Sequence, residues 1–203
     1  MVLHDFLPSG NGYKIRLLCA CLGLKVSLKE YDITKGETRS EAFLALSPNG
    51  KIPVLELDNG DVLSESNAIL LYLAEKHQSS LLPTDLIQKA ALNKWLFWEQ
   101  YSHEPNIAAV RFWLTHNAMN ELKEQMLPDR IQQGNAALQL IDDALKNHTF
   151  LTGDTISLAD ICLFAYTHVA EEGGAYQLNA FPNVQRWITT IESQDWFIPI
   201  TQR

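Results

Sequence analysis

The sequence predicts two domains of different class: an α/β domain over residues 1–78 and an all-helical bundle over residues 86–203. Three observations carry this. Strand and helix patterns alternate as far as residue 80, a polar stretch with Ser79, Ser80 and Pro83 follows at residues 78–85, and strand signals vanish beyond it. The chain has 203 residues, 46% hydrophobic and 20% charged, an ordinary globular composition and enough for two small cores.

Residues 2–7 read as a short strand, and Pro8-Ser9-Gly10-Asn11-Gly12 as the loop after it. Ile15, Leu17, Leu18, Ala20, Cys21 and Leu22 mark a largely apolar helix that stops at Gly23. Val26, Leu28 and Tyr31 alternate as a second strand. Residues 41–46 form a short helix closed by the turn cluster Ser47-Pro48-Asn49-Gly50. Residues 52–57 are a strand, Asp58-Asn59-Gly60-Asp61 a hairpin turn, and Val62-Leu63 the start of the returning strand. Residues 64–77 are helical, with Ile69, Tyr72 and Leu73 on one face. A βαβ unit, which needs a parallel pair, is thus followed by a ββα unit, which needs an antiparallel one; the order β-α-β-α-β-β-α is that of the thioredoxin fold.

Beyond the linker, residues 87–101 are strongly helical, and Pro105 is expected to kink or interrupt a helix that resumes through Trp113. A second long pattern covers residues 118–147 with a break expected near Pro128, a third residues 157–171 and a fourth residues 184–193. In Ser157-Leu158-Ala159-Asp160, Ser157 caps a helix and Asp160 reaches back as a capping box, with Ile156 and Ile161 as its staple.

Charge limits the partners. Residues 1–82 carry 8 basic and 10 acidic groups, and residues 83–203 carry 8 and 14, within a total of −8. Neither part has the basic footprint of a nucleic-acid binder, and an acidic surface disfavours anionic membranes. No apolar run is long enough for a membrane span, and the start of the chain lacks the pattern of a signal peptide. Three cysteines, Cys19, Cys21 and Cys162, without framework spacing indicate a reducing compartment, hence a cytoplasmic protein with buried, inert thiols. The six histidines form no metal-ligand spacing, so no metal is expected.

Three loop ends of the first domain can carry chemistry. Ser9-Gly10-Asn11-Gly12 precedes a helix, where unpaired N–H groups and the macrodipole suit an anion, a thiolate included; Ser9 or Asn11 can donate to it, or simply cap the helix. Pro53 opens a strand, and a cis bond after Ile52 would turn the Ile52 backbone outward to pair with an extended peptide. Leu63-Ser64-Glu65-Ser66-Asn67 can cap the following helix, or read an α-amino acid head group, with Ser66 on the carboxylate and Glu65 on the ammonium.

Taken together, Ser9, the run Ser47-Pro48-Asn49-Gly50-Lys51-Ile52-Pro53-Val54-Leu55, the run from Leu63 to Leu73 and Ser157-Leu158-Ala159-Asp160-Ile161 resemble a cytosolic glutathione transferase over both domains. The resemblance implies glutathione as co-substrate. Ser9 corresponds to the serine that hydrogen-bonds the glutathione sulfur, with Asn11 as its rival and Tyr13 a third candidate. Ile52, before a cis Pro53, corresponds to the residue that pairs with the cysteinyl part, Glu65 and Ser66 to the pair on the γ-glutamyl head, Lys51 to the cation near the glycine carboxylate, and Arg39 to a further polar contact. A glutaredoxin-like protein would have Cys in place of Ser9.

The family pattern further implies a cytoplasmic homodimer with a small hydrophobic electrophile bound between the first loop and the helical domain, where Glu104 and Arg111 fall; these two could equally serve a dimer interface or a salt-bridged helix face. The expected reaction is attack of the thiolate on the electrophile, or thiol-dependent reduction of a peroxide. The alternatives are a glutathione-dependent disulfide-bond reductase of the same fold and a non-catalytic binding or regulatory member.

Overall fold

The computed structural model describes residues 1–203. The chain forms two compact units, one of Met1–Leu82 together with Asp195–Arg203, the other of Pro83–Gln194.

The first unit runs β1 (Val2–Asp5), α1 (Gly10–Cys21), β2 (Ser27–Glu30), two 3-10 turns, α2 (Glu41–Leu46), β3 (Val54–Glu56), β4 (Val62–Ser64) and α3 (Ser66–Lys76). Its sheet has the order β2-β1-β3-β4; β1 pairs parallel with β2 and antiparallel with β3, and β3 antiparallel with β4. This is the thioredoxin-like topology expected from the sequence. Both strands predicted from the apolar run are shorter than it. β1 ends at Asp5 because the chain turns, with the Ser9 N–H donating to the Phe6 carbonyl at 2.7 Å. β3 begins only at Val54 because Pro53 has no N–H to give to a ladder.

Register sets the core. Leu3 stands opposite Leu28 on one side and Leu55 on the other, and Leu55 opposite Leu63. Leu3, Leu55, the α1 residues Ile15, Leu17 and Leu18 and the α3 residues Ile69, Leu70 and Leu73 are wholly buried. Each such burial is worth about 1.5–3 kcal/mol. Register also sets the site. His4 faces Val54, and Val54 faces Ser64, so the end of β1, the start of β3 and the end of β4 lie at one edge of the sheet. The loops that follow or precede them must therefore converge.

The last nine residues correct the expected boundary. The second domain was expected to run from 86 to 203, but residues 195–203 pack with the first unit. Buried Arg16 of α1 draws them in: its Nη1 donates to the Ile200 and Gln202 carbonyls at 2.8 and 2.7 Å, and the Tyr13 hydroxyl donates to the Ile198 carbonyl at 2.6 Å.

The second unit contains α4 (Leu86–Trp98), a π-helical turn (Glu99–His103), α5 (Glu104–Thr115), α6 (Glu121–Leu145), α7 (Leu158–Thr167) and α8 (Pro182–Glu192). All ten residues of α7 are buried, as expected of a helix apolar on every side. Its capping box is present: Asp160 Oδ2 accepts from the Ser157 N–H at 2.9 Å and from the Ser157 hydroxyl at 3.0 Å. The interruption expected at Pro105 is the π-helical turn just before it. Pro105 has no N–H for the carbonyl four residues back, and the helix widens there instead of stopping. No break occurs at Pro128, which lies inside the continuous α6. Pro128 and Glu124, whose carbonyl loses its donor, are both exposed, so water can replace the missing bond.

Candidate functional site

Helix α1 begins where β1 turns away from the sheet. Ser9 occupies the cap position with extended backbone, yet its side chain makes no capping bond. The first-turn N–H groups of α1 have no intrahelical acceptor and carry the positive end of the dipole. Gly12 in this turn lies against Asp5; a Cβ here would fall 1.7 Å from Asp5 Oδ1. Asp5 is wholly buried, with Oδ2 taking the Arg16 Nε at 3.3 Å and Oδ1 without a hydrogen-bond partner. Burial outweighs the attraction of Arg16 and pushes the Asp5 carboxyl up to about 7. A carboxyl held partly neutral opposes an anion at this turn less than a full negative charge would.

The start of α3 meets the start of α1. Glu65, exposed, precedes the helix at φ 67° and ψ 112°, a backbone region that costs a non-glycine residue about 1–3 kcal/mol and recurs at ligand-binding sites. Ser66 is buried, and its hydroxyl donates to Asn11 Oδ1 at 3.2 Å. Lys14, one turn into α1 and wholly buried, donates to Asn11 Oδ1 at 2.8 Å, to Ser66 Oγ at 3.3 Å and to Asn67 Oδ1 at 3.4 Å.

The Ile52–Pro53 peptide bond is cis, as expected. It follows a tight turn in which buried Ser47 donates to Asn49 Oδ1 at 2.7 Å and the Lys51 N–H donates to the same oxygen at 3.0 Å. Arg39 lies on this turn, its Nη1 donating to the Asn49 carbonyl at 3.1 Å. Gly50, at φ 64°, makes room for it, since a Cβ there would come 2.5 Å from the guanidinium nitrogen. Two exposed cations, Arg39 and Lys51, are thereby attached to one turn.

The fold thus gathers Ser9, Asn11, Ile52, Pro53, Glu65 and Ser66 at one edge of the sheet, and joins Arg39 and Lys51 through the turn that leads into it. Tyr13 is not in this set: it is buried and gives its hydroxyl to Ile198. Arg111, in the other unit, binds the Glu172 carboxylate through Nη2 at 2.6 Å and Nε at 2.7 Å, the salt-bridged reading of that residue. Glu104 is half-buried at the start of α5. Burial pushes the Cys19 thiol up to about 11, and Cys162 is wholly buried, so neither is an activated nucleophile. Sequence reasoning missed Lys14 and Asn67. The available signal was two cations, Lys14 and Arg16, in a helix whose remaining positions are largely apolar.

Such an edge, with a helix N-terminus, an outward-facing strand start and a strained residue before a second helix, is a binding arrangement rather than a catalytic group. Comparison with known proteins assigns it to a family. Residues 8–76 match the glutathione S-transferase N-terminal domain and residues 96–195 the C-terminal domain of the same family. Disulfide-bond oxidoreductase YfcG of Escherichia coli (strain K12) is 32% identical, over 93% of this chain and 89% of that protein. Maleylacetoacetate isomerase of Pseudomonas aeruginosa is 31% identical, over 92% and 88% of the two chains. The crystal structure of a glutathione S-transferase from Pseudomonas fluorescens superposes with a TM-score of 0.94 at 41% identity, covering 99% of this chain and 98% of that one. The two matched domains, the shared fold and the near full-length coverage of these relatives leave one conclusion: the chain belongs to the glutathione S-transferase family.

Proposed function

We propose that this chain is a glutathione transferase that binds glutathione along the sheet edge and activates its thiol at the start of α1. The observation that carries the reading is the hydrogen bond between Ser66 and Asn11, which fastens the start of α3 to the start of α1. A head group at one helix start then lies within one tripeptide of a thiol at the other. Glu65 holds the γ-glutamyl ammonium, and Ser66 with the first N–H groups of α3 holds its carboxylate. The Ile52 backbone pairs with the cysteinyl residue in strand fashion, and Lys51 and Arg39 neutralise the glycine carboxylate.

A free thiol has a pKa of about 8.5, and each unit of lowering corresponds to about 1.4 kcal/mol of preference for the thiolate. The first-turn N–H groups of α1 and a side-chain donor, Ser9 or Asn11, supply that preference. The thiol loses its proton to solvent, the sulfur forms a bond to the electrophilic carbon, and the leaving group departs with its electron pair. The protein is further proposed to work as a cytoplasmic homodimer on a small hydrophobic electrophile.

The identity of 32% with a disulfide-bond oxidoreductase favours a second reading, in which the same thiolate attacks a disulfide sulfur. An activity panel with glutathione against an aryl halide, a peroxide and a mixed disulfide separates the two. Conjugation of the aryl halide is the expected result. Disulfide exchange without conjugation would select the second reading. A calorimetric titration without glutathione binding would overturn both.

A further inference from the structure

We infer that Lys14 is a positioning residue of this site, buried to lock the Asn11 side-chain amide with its carbonyl oxygen on Lys14 and Ser66. The inference rests on the assignment of glutathione to the sheet edge. An ammonium group only donates hydrogen bonds, so the Asn11 atom 2.8 Å from Lys14 Nζ must be the carbonyl oxygen. The Ser66 hydroxyl, 3.2 Å away, donates to the same oxygen. A flipped amide would set its NH2 against the Lys14 ammonium, which cannot accept, whereas the Ser66 hydroxyl could turn to accept from it; Lys14 is therefore the group that fixes the orientation.

Binding explains why two donors are present. Ser66 is the hydroxyl assigned to the carboxylate of the head group. A hydroxyl has one proton, and giving it to the ligand withdraws it from Asn11. Lys14 then remains on Asn11 Oδ1, itself anchored by Asn67 Oδ1 at 3.4 Å and by the Ser66 oxygen at 3.3 Å. The same exchange links the two ends of glutathione: the head group takes a proton from Ser66, and Lys14 keeps the donor at the thiol end aimed. Burying an ammonium is costly, and a surface lysine could not hold this angle. The lysine therefore acts through Asn11 on the state of the thiol.

The test is a double-mutant cycle read on the pKa of bound glutathione, from thiolate absorbance against pH in the full-length protein. Lys14→Met should raise that pKa by about one unit, leaving about tenfold less thiolate at a fixed lower pH. Asn11→Ala should raise it at least as far. The double variant should show no more than Asn11→Ala alone. Glutathione affinity should change less than the thiol pKa. Lys14→Gln, a smaller polar replacement that keeps one donor, should give a smaller shift of the same sign and covers the case in which Lys14→Met does not fold. An unchanged pKa in the Lys14 variants, or shifts that add in the double variant, would overturn the positioning role while glutathione binding stands. A wild-type protein that gives no calorimetric signal with glutathione and leaves its thiol titrating near the free value of about 8.5 would instead overturn the glutathione assignment, and this role with it.

Discussion

Lys14 in the first unit and Asp160 in the second are both wholly buried, yet they are handled differently. Asp160 is closed in on itself. Its Oδ1 accepts from the Leu151 N–H at 2.9 Å and the Trp187 indole N–H at 3.0 Å, and its Oδ2 from the Ser157 N–H and hydroxyl. Even so, burial holds its carboxyl above the usual range, because desolvation outweighs four good bonds. Every partner belongs to the loop before α7, to α7's cap or to α8, so the node joins the helical unit to itself. Lys14 reaches Asn11 and Asn67, which are only half-buried, and Ser66 at a helix start. Its partners sit at the lip of a site. A buried charge with an inward-facing shell serves stability; one whose partners reach the surface can act on a ligand through them.

Breaking the closed node should have the largest effect. Asp160→Ala leaves the Leu151 and Ser157 N–H groups and the Trp187 indole without acceptors, at about 1–3 kcal/mol each. A loss of about 4 kcal/mol or more is expected in urea unfolding followed by tryptophan fluorescence. A loss below about 1 kcal/mol would mean that the node is not structural.

Removing residues 195–203 comes next. It strips the Arg16 guanidinium of the Ile200 and Gln202 carbonyls and the Tyr13 hydroxyl of Ile198. Bonds to charged donors are worth about 1.5–3 kcal/mol each, so the two lost by Arg16 cost about 3–6 kcal/mol, felt in the first unit. Hydrogen exchange should show lost protection in α1 with α7 unaffected; equal loss in both units would mean that the tail does not belong to the first unit alone.

Glu65→Ala addresses the open side of the comparison. Glutathione affinity should fall by about 2–5 kcal/mol if the ammonium is desolvated. The unfolding midpoint should hold, since Glu65 is exposed and makes no capping bond. Calorimetry alongside denaturation separates the two, and an unchanged affinity would remove Glu65 from the site.

The smallest effect distinguishes Ser9 from Asn11. Loss of one hydrogen bond to a charged acceptor, about 1.5–3 kcal/mol, corresponds to one to two units in the pKa of bound glutathione. Ser9→Ala and Asn11→Ala should separate on a pH titration of thiolate absorbance. A shift in Asn11→Ala alone would make Ser9 a backbone cap and nothing more. A shift in neither would leave activation to the N–H groups of α1.

Much of this was legible in the chain. The strand and helix order and the capping box at Ser157 follow from local chemistry: an apolar alternation, a turn, a hydroxyl before an apolar run. The cis bond at Pro53 follows from the family resemblance, since a proline at a strand start alone leaves cis and trans open, and Ser9, Glu65 and Ser66 read locally as caps as much as ligands. What was not legible depends on partners far along the chain. Lys14 has its meaning only beside Ser66 and Asn67, and Arg16 only beside Ile200 and Gln202. The left-handed backbone of Glu65 leaves no trace in composition, since glutamate has no preference for it. Pro128 misled because a helix breaker on a wet face loses one bond that water can replace.

The returning tail has a consequence for synthesis. A ribosome delivers β1, α1 and the rest of the sheet first, but the carbonyls of Ile200 and Gln202 emerge only after the entire helical unit. Until then the guanidinium of Arg16 has not received the acceptors that finish its shell. The thioredoxin-like unit is begun first and completed last, and the helical unit is made within that interval. A nascent chain halted near residue 90 should accordingly resist protease less well than the same segment in the finished protein.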